Sequence, residues 1–439
     1  YPAEIARNLY AIAHTEYPGD QMYTAGDYFG HADRVDCFDV FYKQVSRFPK
    51  DGDVMSNYPE DQIAVKPLFC REWGDGVGEK PRVSLMENEE EQLKQCRGRF
   101  LQLNGHGYFD WCMLDANPRM GGHFLWSYND YARGAEQETM FCGIVDINRY
   151  PKFSYYMMQS MRDKEISQPG LYDGPMVFIA NEMTPFSGKD VVVYSNCDEV
   201  RLTFNKDGKT STYKKDKGRQ GMPSPVITFP GMYDFMVDKA LSRDRKQEDV
   251  YLLAEGLIDG KVVATHKVTP ARRPEKLLLW VDNEGTNLEA NGSDFVTVVA
   301  AIADKQGNIK RLNNYFIKFH IEGEGRILGS ADIMANPAPV KWGTAPVLVQ
   351  STLKPGKIKV MASVLMEGSQ MPISAELELE STSAVYPLVY NQSEAVLIPL
   401  TVTGKTDVQM SKSSAEREVE RLQKEVNALK LKEVERQQT

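Results

Sequence analysis

The sequence predicts a multidomain chain, α/β at its start and all-β beyond. The expected order is the C-terminal half of a (β/α)8 TIM barrel, two immunoglobulin-like β-sandwiches and a C-terminal amphipathic helix. Three observations predict it. An apolar run, Leu68-Phe69-Cys70, breaks into Arg71-Glu72-Trp73-Gly74, and a later run, Gly121-Gly122-His123-Phe124-Leu125, breaks into Trp126 with a helical pattern between the two. Strand, helix, strand with chemistry-bearing residues at the strand ends is the pattern of a β/α barrel. Near residues 163–175 the pattern changes to alternating strands separated by turn signals. The end of the chain is charged and helical in period.

These changes set four expected segments: a partial barrel over 1–165, sandwiches over 166–272 and 273–382, and a tail over 383–439. In the first, Pro2 to His14 predicts a helix with Pro2 in its first turn, Ile5, Leu9 and Ile12 on one face, and Tyr17-Pro18-Gly19 as the stop. Strand-like runs follow at Gln21–Ala25, Val35–Phe41, Lys66–Cys70 and His123–Ser127. Ser84 with Glu87 forms a capping box before a helix marked by Leu93, Cys96, Phe100 and Leu103. Four strands are half of what a closed barrel needs. The chain opens on Tyr1-Pro2, and we read it as the later part of a longer protein.

In the first sandwich, Met176–Ala180, Val191–Ser195, Val200–Phe204, Tyr251–Leu257 and Lys261–Val268 predict strands, the last two joined by a hairpin at Asp259-Gly260. A basic proline linker, Pro270 to Pro274, leads into the second. There the strand runs are Lys276–Val281, Phe295–Ala303, Tyr315–Glu322, Ala345–Leu353, Lys357–Leu365 and Ile373–Glu380. That count and length suit an immunoglobulin-like fold. In the tail, Thr401 to Ser414 is polar. Val419, Leu422, Val426 and Leu429 then keep an a/d rhythm over two heptads. This is short for a coiled coil, so a surface helix competes with self-association into a homo-oligomer.

Composition narrows the function. The 439 residues carry a formal charge of −9, which disfavours nucleic acid as the main partner. No apolar run approaches the roughly 20 residues of a membrane helix. The six cysteines show neither CxxC spacing nor a disulfide framework, and Cys70 reads as a small buried hydrophobe. No HxH or HExxH pattern supports a metal, and no cofactor is expected. Gly74-Asp75-Gly76-Val77-Gly78 lacks the GxxxxGK[ST] spacing of a phosphate loop, and no G-x-S-x-G elbow is present.

A carboxylate on one strand end and an aromatic platform on another suggest a sugar site. Glu72 at a strand end is a candidate catalytic carboxylate; the plainer reading is a turn cap before Gly74. A retaining glycosidase uses two carboxyl groups about 5–5.5 Å apart, one attacking the anomeric carbon and the other protonating the leaving oxygen. Trp126 at the second strand end offers a flat face to a sugar ring, and Asp130 offers acceptors to its hydroxyls. Trp73 adjoins Glu72, and Asp27, Tyr28 and His31 follow the first strand run, placed to line a pocket. The competing readings are a core Trp, a solvated Asp and a structural His.

At these residues the sequence resembles glycoside hydrolase family 2, the β-galactosidase and β-glucuronidase family. Pro67-Leu68-Phe69-Cys70-Arg71-Glu72-Trp73-Gly74 resembles its seventh barrel strand with the nucleophile. Gly121 to Tyr131 resembles the eighth strand with a substrate-side Trp. Gly143-Ile144-Val145-Asp146, Pro151-Lys152 and Tyr155-Tyr156 resemble the segment that closes the barrel. Val191 to Val200, Ala303 to Asn308 and Ile321 to Ile327 are similar to the sandwich modules behind it.

The resemblance implies a retaining exo-β-glycosidase, β-galactosidase-like, bacterial, periplasmic or secreted, acting on terminal sugars of oligosaccharides with Glu72 as nucleophile. The family's acid/base lies in an Asn-Glu pair ending an earlier strand. Here the Asn-Glu pairs fall at 88–89, 181–182 and 283–284, all after Glu72. The partner carboxylate is therefore expected upstream of Tyr1, and the chain alone is expected to be inactive. A non-catalytic carbohydrate-binding or scaffolding protein on the same modules is the alternative, and a surface adhesin is a third.

Overall fold

A computed structural model describes residues 2–17, 19, 21–24, 37, 39–42, 66–73, 89–100, 118–132, 139–165, 174–215, 224, 226–244, 247–283, 285–365 and 374–384. The chain divides into two units, Tyr1–Ala384 and Val385–Thr439. The expected tail helix falls in the second unit, outside the described residues. The first unit is mostly β.

Its opening layer is α/β. Helix α1 (Ala3–Glu16) begins after Pro2. Strands β1 (Phe41–Tyr42), β2 (Leu68–Trp73) and β3 (Met120–Leu125) form a parallel sheet in the order β1-β2-β3. Helix α2 (Glu89–Phe100) lies between β2 and β3 in sequence, as a parallel pair requires a crossover. A short antiparallel pair, β4 (Tyr131–Ala132) and β5 (Thr139–Met140), and helix α3 (Phe153–Gln159) follow.

Two expectations change here. Gln21–Thr24 is not a strand. Its Tyr23 N–H donates to the Asp39 carboxylate, and Tyr23 C=O accepts from Asp39 N–H, so Tyr23 is held by Asp39 rather than by a neighbouring strand. In α1, Ile5, Leu9 and Ile12 are exposed. The packed face is Ala6 and Tyr10, grouped with Cys37, Leu68 and Met120, while Tyr10 and His14 bond the Asp39 carboxylate. Asp39, a polar anchor distant in sequence, accompanies a face one position away from the apolar stripe. The capping box at 84–87 lies outside the described residues.

Next comes a pair of facing sheets. One contains β6 (Val177–Ala180), β7 (Val191–Ser195) and β10 (Val226–Phe229) in the order β10-β7-β6. The other contains β8 (Glu199–Phe204), β9 (Lys209–Lys214), β11 (Leu252–Ile258) and β12 (Lys261–Val268) in the order β12-β11-β8-β9. Alternation explains the packing: β8 buries Val200, Leu202 and Phe204 while Arg201 pairs with Glu255 on the other face. Val193, Leu202, Leu252 and Ala254 meet in the shared core. The β11–β12 hairpin turns on Asp259 and Gly260, both at positive φ (49° and 72°), as a two-residue type I′ turn demands. Helix α4 (Phe235–Asp244) precedes β11.

A second pair of sheets follows. β13 (Lys276–Asp282), β15 (Phe295–Ala303), β17 (Gly325–Ile327) and β19 (Thr344–Ser351) run β13-β15-β19-β17. Opposite lie β14 (Leu288–Glu289), β16 (Phe316–Gly323), β18 (Ala338–Pro339), β20 (Gly356–Leu365) and β21 (Ala375–Thr382), ordered β14-β21-β20-β16-β18. Val298, Ala300 and Ile302 of β15 face Phe319, Val360 and Val364 in one core.

The layers are tied by polar contacts. Asp304 Oδ2 accepts from Arg272 N–H, fixing the proline linker. Arg311 pairs with Glu182 at 2.9 Å, and Thr297 Oγ1 donates to Asn148 C=O. Glu89 of α2 accepts from Glu182 N–H and Ser187 Oγ. No helix among the described residues is long and apolar enough to cross a membrane.

Candidate active site

The ends of β2 and β3 are the focus. The two strands run parallel, with Cys70 opposite His123 and Trp73 opposite Leu125. Parallel strands release their C-terminal ends on the same edge, where barrel and open-sheet enzymes carry their chemistry. Glu72 is therefore the penultimate residue of β2 on that edge, and Trp126 follows the last residue of β3. Neighbouring strands lie about 4.8 Å apart, so the two positions share one rim. At Glu72 and Trp73 the description extends to the backbone; Asp27, Tyr28 and His31 lie outside the described residues.

Trp126 is 38% exposed, so one part of the indole is open and the rest is held. Its Nε1 donates to Tyr131 Oη at 3.0 Å, and the two rings meet edge to face at 5.8 Å. The Trp126–Ser127 peptide is cis. Behind the ring the loop is bolted down by backbone pairs. Ile144 and Val145 N–H donate to Tyr128 C=O, and Asp130 N–H donates to Val145 C=O. Gly143 permits this closeness: a Cβ there would sit 2.2 Å from Asp130 N and 2.5 Å from Val145 O.

The sequence expects Asp130 to meet sugar hydroxyls. Its carboxylate is 2% exposed and engaged from behind: Lys152 Nζ lies 2.7 Å away and is itself 0% exposed. Gly143 N–H also donates to Asp130 Oδ1 at 2.9 Å. A buried ion pair with a further hydrogen bond fixes geometry strongly because neither charge can turn to water. Sequence pattern places Lys152 only in the barrel-closing segment, with no partner or site role. It sits between Pro151 and α3, and nothing local announces a partner 22 positions earlier.

Nearby, Asp146 Oδ1 accepts from Asn148 and Tyr150 N–H. Burial, reinforced by the neighbouring Asp130 charge, pushes its pKa up to about 6, against those hydrogen bonds. α2 braces the same loop. Gln95 Nε2 donates to Phe141 C=O and Gly143 C=O, and its Oε1 accepts from Ser154 Oγ. Among the described residues, no group of His, Cys, Asp and Glu is arranged to hold a metal ion.

The family described as "Glycoside hydrolase family 2 C-terminal domain 5" matches residues 279–368, within the second pair of sheets. A β-galactosidase of Thermoanaerobacter pseudethanolicus is 32% identical over 270 residues, 59% of this chain and 34% of that protein. The β-galactosidase BoGH2A of Bacteroides ovatus is 26% identical over 278 residues, 59% of this chain and 29% of that protein. The chain thus spans about a third of the length of these curated relatives.

Among solved structures, a β-glycosidase from Bacteroides vulgatus superposes with a TM-score of 0.57 at 19% identity. It covers 87% of this chain and 49% of that one. A β-glucuronidase from glycoside hydrolase family 2 gives 0.57 at 18%, covering 88% and 38%. These two likenesses speak to fold. The family match and the curated relatives support a likeness to the C-terminal portion of glycoside hydrolase family 2.

Proposed function

We propose that this chain supplies the nucleophile side of a retaining exo-β-glycosidase, β-galactosidase-like in its sugar. The parallel register of β2 and β3 carries the reading, because it sets the Glu72 strand end beside the one that releases Trp126. The proposal takes the α/β layer as the second half of a TIM barrel and the two sheet pairs as immunoglobulin-like supports. Names of relatives such as the Thermoanaerobacter β-galactosidase support the sugar class.

In this reading the Glu72 carboxylate attacks the anomeric carbon as the glycosidic C–O bond breaks. A second carboxyl group, not assigned to this chain, protonates the leaving oxygen. Water, deprotonated by that second group, then attacks the glycosyl–Glu72 ester and frees both sugar and Glu72. Trp126 gives the sugar ring an apolar wall, and Trp73, Asp27 and His31 line the pocket. Asp130, through Lys152, holds the loop bearing Trp126 in place.

The test is trapping with an activated 2-deoxy-2-fluoro-galactoside in protein carrying this sequence together with the acid/base half. Peptide mapping is expected to find the label on Glu72, and Glu72→Gln is expected to abolish turnover while sugar binding persists. A label on another residue, or a near-normal rate in Glu72→Gln, overturns the assignment.

A further inference from the structure

A cavity lies away from the strand ends, where the α/β layer meets both pairs of sheets. It measures about 300 Å³, at the small end of ligand pockets, which run from about 300 to 1,000 Å³. The residues that define it are Tyr156, Phe178, Glu182, His266, Arg311 and Trp342. None belongs to the site described above.

One wall is aromatic. Tyr156 stacks on Phe178 at 3.8 Å with planes 5° apart, and Phe178 stacks on His266 at 4.7 Å. His266 Nδ1 accepts from Ile179 N–H at 3.0 Å, so the ring proton sits on Nε2. Burial holds the imidazole pKa below its ordinary value, leaving a neutral ring with one N–H donor and no partner for it among the described residues. The opposite wall is the Glu182–Arg311 pair, with side chains 14% and 17% exposed. The guanidinium meets Glu182 Oε1 at 2.9 Å. Arg311 Nε and Trp342 Nε1 are buried N–H groups with no acceptor among the described residues, where nearly every such group finds one.

The balance of charge selects the ligand. Glu182 cancels Arg311, His266 is neutral, and the Lys267 ammonium of the lining sits over the Tyr251 ring and donates to Glu248 C=O, so neither an anion nor a cation is favoured. Donors outnumber acceptors beside an aromatic wall. A small, uncharged, oxygen-rich molecule with hydroxyls on an apolar ring skeleton complements both. We propose that this cleft is an accessory, non-catalytic site for one neutral monosaccharide unit, free or at the end of an oligosaccharide.

Twelve non-hydrogen atoms at ordinary ligand efficiency give a dissociation constant of about 2 mM. The experiment titrates galactose, glucose and mannose, with glucuronate as the charged control, separately into the full chain with 13C-labelled histidine and follows the His266 Cε1–H resonance, assigned with His266→Phe. At least one sugar is expected to shift it saturably near about 2 mM, with the same midpoint in Trp126→Ala, whose strand-end site is damaged. Thr269→Phe, a bulky change at a partly exposed lining position, is expected to weaken binding at least fivefold with unchanged circular dichroism. A His266 signal that stays still for all three sugars, or moves with glucuronate alone, overturns the proposal. So does loss of the response in Trp126→Ala. Failure here leaves the Glu72 trapping result untouched.

Discussion

Replacing Lys152 with Met gives the sharpest test of how the strand-end loop is held. The change keeps length and apolar bulk but removes the charge. Asp130 would then keep the Gly143 N–H at 2.9 Å and lose the ammonium at 2.7 Å, with both side chains almost wholly out of water. Breaking a buried pair from one side costs about 3–5 kcal/mol, mostly the desolvation of the charge left behind. Removing both charges avoids that cost, so Asp130→Asn with Lys152→Met is expected to recover most of the loss. The assay is urea unfolding followed by tryptophan fluorescence and circular dichroism, reading the transition that carries the α/β layer. The cycle is expected to give a coupling of about 2–3 kcal/mol, within the range for contacting residues. A Lys152→Met loss below about 1 kcal/mol, or a double variant no better than the single, would refute the reasoning.

Three further expectations come from the same geometry. Burial pushes the Glu89 carboxyl up to about 7, against its bonds from Glu182 N–H and Ser187 Oγ. The folded form therefore holds a proton longer than the unfolded chain, and stability falls by about 3 kcal/mol as pH rises from about 4.5 to 7; in Glu89→Gln, equilibrium unfolding should lose that slope. Asp146, raised to about 6, adds a fall of the same sign between about pH 4 and 6, so the decline in Glu89→Gln should be shallower there than in the parent but not abolished. Gly143→Ala is expected to lower stability by about 3 kcal/mol in thermal unfolding, because its Cβ would meet backbone on three sides, at Asp130 N, Asn129 C and Val145 O; an unchanged midpoint would show that the loop yields.

Strand after strand was readable from alternation. Val191–Ser195, Lys261–Val268 and Phe295–Ala303 begin and end where the side-chain pattern places them. β9 escaped because Lys209 to Lys214 is polar: it is an edge strand paired only with β8, so it owes the core little. β14, β17 and β18 are two or three residues long and exist through their partners. Helix α1 was legible as a helix but not in its orientation, because the bonds from Tyr10 and His14 to Asp39 form 29 and 25 positions away.

The site divides in the same way. The two strands are legible in local sequence, but their ends shift: β2 runs past the apolar run through Arg71 and Glu72 to Trp73, and β3 stops at Leu125, before Trp126 and Ser127. By itself the sequence also determined many of the strands and the Asp259-Gly260 turn, because periodicity and backbone preference act over a few residues. Only the tertiary structure decided that Asp130 faces Lys152 rather than solvent, that Gly143 lets two backbones touch, and that Tyr156, Glu182, His266 and Arg311 close one cleft. Those outcomes depend on which distant groups share a desolvated space, and desolvation belongs to the packed chain, not to any stretch of it.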